Sequence, residues 1–137
     1  MTAAPYDFET AVAARQRAAR DQAHAEQARA DASRALAQAE HDYRLALAKT
    51  ILAVHADGAA WTVAQDLARG DKHVAHLRYQ RDVAKGVLDA AEQASYRHMA
   101  DRRDLTELIR WSRARDLAEN GGGFYGGDKQ DMTTFTQ

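Results

Sequence analysis

The stretch ILAVHADGAAWTVAQDLARGDKHVAHL, residues 51–77, decides the fold. Asp57-Gly58 is a helix stop, because glycine accepts the left-handed backbone at a helix C-terminus. Thr62 then offers an N-cap, and Gln65 three residues later completes a capping box. A short helix over Val63–Arg69 is expected, closed by Gly70. Asp71 stands as the cap of another helix. The segment therefore reads as a turn with its own small helix, set between two much longer helical stretches.

Upstream, a helical period runs back to about Phe8 through Val12, Ala18, Ala25, Ala28, Ala32, Leu36, Ala39, Tyr43, Leu47, Ile51 and Val54. Downstream, it continues to about Asn120 through Val74, Leu77, Ala84, Val87, Leu88, Ala91, Ala94, His98, Leu105, Leu108, Ile109 and Ser112. The single proline is Pro5, so nothing breaks either run. Alanine, arginine, glutamate, glutamine and leucine favour helix, and β-branched residues never cluster, so no strand is expected. The fold class is all-α: two long helices in an antiparallel hairpin with a short helix in the connection, assembling into a helical bundle. Residues 1–7 read as a leader, 8–120 as the hairpin domain and 121–137 as a flexible Gly-rich tail.

With the bend between Val54 and Val74, facing residues are those whose numbers sum to about 128. Leu105, Leu108 and Ile109 would then meet the alanines near Ala19 and Ala23. Gly86 would sit opposite Tyr43, giving its ring room. Much of the apolar content is alanine, and two helices alone bury little large side chain. Such thin cores are marginal, so self-association, with a dimer favoured, is expected.

Cysteine is absent, which excludes a disulfide framework and thiolate chemistry and fits a reducing compartment. No basic region followed by an apolar run opens the chain, so no signal peptide is expected, and no run approaches the ~20 apolar residues of a membrane span. A cytoplasmic protein without membrane association is expected. Nineteen basic residues against twenty acidic leave a net charge of −1, so bulk electrostatics gives no pull toward nucleic acid or anionic lipid.

Local constellations are few. His73 and His76 lie three apart beside Asp71, a spacing that two imidazoles could use on a divalent ion, but a solvated helix start explains them better. No Glu-x-x-His pair of the di-iron type occurs. His98 falls on the apolar stripe, where a pH-sensitive seam is weighed against an edge position with its ring in solvent. Ser33, Ser95 and Ser112 lie inside helices without a nucleophile elbow. Asp101 and Asp104 alternate with Arg102 and Arg103 as surface pairs. The glycines from Gly121 to Gly127 follow no strand, so they are no phosphate loop. No catalytic, cofactor or metal residue is assigned, and a non-enzymatic chain is expected.

Two candidate sites remain. Residues 63–86 have the outline of a helix-turn-helix, with Lys72, Arg78, Arg81 and Lys85 as candidate nucleic-acid contacts. Asp66, Asp71 and Asp82 dilute that charge. A second basic zone, Arg97, Arg102, Arg103, Arg110 and Arg113, is interleaved with acids, as on a solvated face. The tail carries Phe124, Tyr125 and Phe135, candidate partner-binding aromatics.

YRLALAKTIL from Tyr43, then Gly58, then TVAQDLARGDKHVAHLRYQRDVAKGV from Thr62 resemble small, mostly uncharacterised helical proteins of phages and prophages in Gram-positive, actinobacterial-type hosts. The resemblance spans Tyr43 to Leu117. It implies a phage or prophage origin, a host-cytoplasmic setting and a neighbourhood of DNA replication or recombination genes, and no catalytic residues. The expectation is an oligomeric helical interaction protein that binds another protein. The alternative is a nucleic-acid-binding accessory factor using the turn and the start of the third helix.

Overall fold

The computed structural model describes residues 7–121. Three helices account for nearly all of them: α1 (Phe8–Ala56), α2 (Trp61–Arg69) and α3 (Lys72–Gly121). The described chain is all-α, and α1 and α3 pack extensively as a hairpin. The leader before Asp7 and the tail after Gly121, with Phe124, Tyr125 and Phe135, lie outside the described residues.

Each helix end has a local cause. Asp7 caps α1, its carboxylate accepting the Glu9 amide at 3.0 Å. At the other end the Gly58 amide donates to His55 O at 3.0 Å and the Ala59 amide to Val54 O at 3.3 Å. These are the paired bonds of a Schellman motif, and Gly58 supplies the positive φ of 106°. Asp71 caps α3 by accepting the His73 and Val74 amides at 3.0 and 3.1 Å.

The start of α2 differs from the sequence expectation. The helix begins at Trp61, with Ala60 at the cap and no side-chain cap bond. Thr62 is already inside the first turn, so no capping box with Gln65 forms. The Trp61 ring stacks on His55, centroids 3.7 Å apart and planes 17° apart. His55 Nδ1 also donates to Ala59 O at 2.8 Å. A stacked pair across the turn starts the helix one residue before the hydroxyl that would have capped it. At the far end α3 takes in Gly121, one residue beyond the expected domain boundary.

The seam has a period of seven. On α1 the buried residues Ala11, Ala18 and Ala32 are separated by multiples of seven, as are Val74, Ser95 and Ile109 on α3. Half-buried Leu77, Arg81, Ala84, Leu88, Ala91, His98, Leu105 and Ser112 fill the intervening steps of three and four. Tyr43, also buried on α1, lies eleven after Ala32, at the three-and-four step instead; spacing of this kind is that of a coiled-coil seam. Val87 and Leu108 are instead more than half exposed. Each precedes a true seam residue by one, Leu88 and Ile109. Ala28 is exposed as well.

The register also differs from the expected one. Phe8 meets Arg113, Arg29 meets Glu92, Gln22 meets Arg102, and Tyr43 meets Arg81. These pairs sum to 121–124, one to two helical turns away from the symmetric placement. The cause is α2. It packs mainly on α1 and touches α3 little, and it buries Ala64 and Ala68 completely. The last turns of α1 therefore serve α2, and α3 engages α1 further down. Ile109 and Ala19 only line the same open hollow, with Val12 and Gln16, and Ala23 is exposed. Gly86 is exposed, with no atom within 4 Å of where a Cβ would stand. It makes no room for Tyr43.

Candidate partner-binding surfaces

The four candidate nucleic-acid contacts do not act as one set. Lys72, Arg78 and Lys85 are exposed and form no ion pair among the described residues. Arg81 is different. Its guanidinium donates to Asp82 Oδ1 from Nε at 3.1 Å and from an Nη at 2.8 Å. It also covers the buried Tyr43 ring, 4.7 Å from the centroid. The Asp82 bond raises the Arg81 pKa further, and the same bond holds the Asp82 carboxyl below its ordinary range. Arg81 is thus part of the seam. Because α2 rests on α1 and barely touches α3, α2 and α3 do not form the mutually packed pair of a helix-turn-helix.

The histidines lie apart in role. His73 and His76 are exposed at the start of α3. His76 Nε2 accepts from Gln80 Nε2 at 3.1 Å. Among the described residues no group of three His, Asp or Glu side chains is placed to hold a metal ion. His98 is half-buried at its seam position.

The interleaved arginines are sorted by what they touch. Arg102 donates to Gln22 Oε1 at 3.0 Å across the seam, and Arg110 pairs with Glu107 at 3.2 Å. Arg97, Arg103 and Arg113 have no ion-pair partner among the described residues. Arg113 lies 5.5 Å from the centre of the Phe8 ring.

Sequence reasoning missed two open hollows on the half of the hairpin far from the turn. One, of about 250 Å³, is lined by Phe8, Val12, Arg15, Gln16, Ala19, Ile109 and Arg113. The other, of about 490 Å³, is lined by Gln22, Tyr96, Met99, Ala100, Arg102, Arg103 and Thr106. No carboxylate lines either. The signal was present in the spacing: Tyr96, Met99, Arg103, Thr106, Arg110 and Arg113 follow one another by threes and fours on one edge of α3.

Large apolar side chains are mostly outside. Among the described residues fourteen of them are exposed, while Tyr43, Val74 and Ile109 are buried. Val83, Val87, Ala90 and Ala94 form a second line on α3, stepping by four and three beside the seam, and Leu108 and Trp111 resume it. Leu45 and Leu52, seven apart on α1, are exposed too. Among the described residues no helix is long and apolar enough to cross a membrane. Comparison with family models, with curated proteins and with solved structures finds no match for this chain.

Proposed function

We propose that the chain is a non-enzymatic, self-associating helical protein that binds another protein. The observation that carries this reading is the uncovered apolar surface. Side chains such as Val83, Val87, Leu108 and Trp111 (73% exposed) stand in water along the hairpin. Exposed apolar surface of this kind, here in two stretches either side of Arg97, Asp101 and Asp104, marks interaction sites. Two hairpins pairing through it would form a four-helix bundle. The open hollows support the same reading, since catalysis asks for a concave site with convergent polar groups.

The likeness of Tyr43–Leu117 to phage and prophage helical proteins supplies the setting: a host-cytoplasmic protein acting in phage or host DNA replication, recombination or defence. A second reading, nucleic-acid binding at the turn, is favoured by one observation, the unpaired exposed charges of Lys72, Arg78 and Lys85. With Arg81 engaged in the seam, three cations make a small footprint. Counterion release would then give a shallow salt dependence.

Sedimentation equilibrium at micromolar concentration tests self-association, and a 15.2 kDa monomer that melts cooperatively would refute it. Affinity capture from a bacterial host lysate, with and without nuclease, separates the two readings. Capture that survives nuclease supports a protein partner, and capture abolished by nuclease supports nucleic acid.

A further inference from the structure

The two hollows lie along one edge of α3. Met99, Thr106 and Arg113 are seven apart, so they form a straight line on one side of the seam. Val12 and Ala19 are seven apart on α1 and face the same opening. The hollows share no lining residue, but they follow one another along this line and together make a discontinuous groove between α1 and α3. From Tyr96 to Arg113 it runs about 26 Å at ~1.5 Å per residue.

The chemistry of the groove is uniform. Its floor is Val12, Ile109 and Phe8, and Tyr96 and Met99, each about half exposed, form the wall nearer the turn. Its charged lining is all arginine: Arg15, Arg102, Arg103 and Arg113, none with an ion-pair partner among the described residues, though Arg102 donates to Gln22 across the seam. The line of Val12 and Ala19 ends at Glu26, whose carboxylate already accepts from Gln22 Nε2 at 3.0 Å. Between that acid and the open end of the hairpin no carboxylate lines either hollow.

We infer that this groove docks an amphipathic helix of another protein, one with an apolar stripe about five turns long flanked by Asp or Glu. The inference rests on the reading of the chain as a protein-binding protein and names the site and the partner's chemistry. Both walls are helices and offer no strand edge for an extended peptide, so helix-in-groove is the matching mode. Unpaired guanidinium groups beside an apolar floor favour carboxylates, which they can grip with paired hydrogen bonds. A docked apolar stripe would exclude water from Phe8, Tyr96 and Met99 and strengthen those bonds.

The test uses the full chain and fluorescein-labelled 18-residue Leu/Ala/Glu and Leu/Ala/Lys amphipathic peptides, read by anisotropy. The Leu/Ala/Glu peptide should bind the wild type in preference to its lysine counterpart. Arg103→Glu with Arg113→Glu should weaken it by about tenfold or more, and the same double variant should gain affinity for the lysine peptide. Both arginines are exposed, and unchanged circular dichroism would confirm that the fold is kept. Equal binding of the two peptides, or no change in the double variant, overturns the groove. It would leave sedimentation and nuclease-resistant capture, on which the broader reading stands, untouched. A single-stranded oligonucleotide that binds the wild type, loses affinity in the double variant and outcompetes the glutamate peptide would overturn it in favour of nucleic acid. A shift of the sedimentation equilibrium in the double variant would place a second copy of this chain in the groove instead.

Discussion

The Arg81 guanidinium sits 4.7 Å from the centre of the Tyr43 ring and closes the one aromatic that is buried among the described residues. Tyr43 has small neighbours at the adjacent seam positions of its own helix, Ala39 and Ala46, so its ring is the bulk that fills this layer. Truncating Tyr43→Ala should cost about 3 kcal/mol, the range for removing a large core side chain. Arg81→Ala should cost less, about 1 kcal/mol, through the lost cation–π contact and the lost cover of the ring. In chemical denaturation the double variant should be less destabilised than the two single losses combined, because both remove the same contact. Additive losses would mean that the two residues contribute separately.

The same arginine sets a pH effect. Its hydrogen bonds hold the Asp82 carboxyl below its ordinary value. A depressed carboxyl contributes stability that is present above its unfolded pKa, about 3.9, and is lost as pH falls through the folded value. Asp82→Asn should therefore be slightly less stable than the wild type at pH 7, and the two should converge as pH falls below the depressed folded value. Asp82 is fully solvated, so the difference should also shrink in high salt. A gap that does not narrow at all as the pH is lowered would point to some other role for the side chain.

Gly86 is open to solvent within a continuous helix. Nothing meets a new methyl group there, so only propensity changes. Gly86→Ala should stabilise by about 0.5–1 kcal/mol, and Gly86→Leu by nearly as much. Thermal melts decide it, and a destabilised leucine variant would mean that this face is covered by something, a second copy included.

Asp57-Gly58 and Asp71 were legible because caps are local chemistry: each is fixed by a few residues acting on their own backbone. The hairpin was legible for the same reason. Register was not, because it depends on how α2 takes up the end of α1, a packing fact that no single stretch encodes. Seam membership was half legible. A search for apolar period finds Val74, Leu88 and Ile109, but passes over Arg81, Ser95 and Arg102, polar residues at seam spacing. It also accepts Val87 and Leu108, which sit one position off. The groove was missed because its arginines were read with the acids beside them in sequence. Glu107 pairs with Arg110, while Arg103 and Arg113 on the same edge have no ion-pair partner among the described residues.

Alanine on α1 lets the two backbones approach. Ala32 is 6% exposed at a seam position, whereas Ala35, one turn on, faces solvent. Ala32→Leu should overpack the seam and cost about 1–3 kcal/mol. Ala35→Leu should stay within about 0.5 kcal/mol of the wild type in the monomer. Equal effects at the two sites in urea titrations would mean that the seam has slack and that close packing of alanine is not what sets the helix separation.

The turn makes the sharpest claim about backbone. Gly58 has φ of 106° and nothing within 4 Å of the place a Cβ would occupy. A substitution there meets no neighbour, so its whole cost is the strain of a left-handed residue, about 1–2 kcal/mol for alanine. Asparagine visits that region more readily and should lose less than alanine. The strain acts on a motif already tied three ways: the Gly58 and Ala59 amides on α1 carbonyls, and His55 on Ala59 O under the Trp61 ring. Those ties should hold the turn in place, so Gly58→Ala should lower the unfolding free energy while leaving helicity in native buffer unchanged. A variant that loses helicity instead would show that the α1–α2 turn, and not the long seam, keeps the hairpin closed.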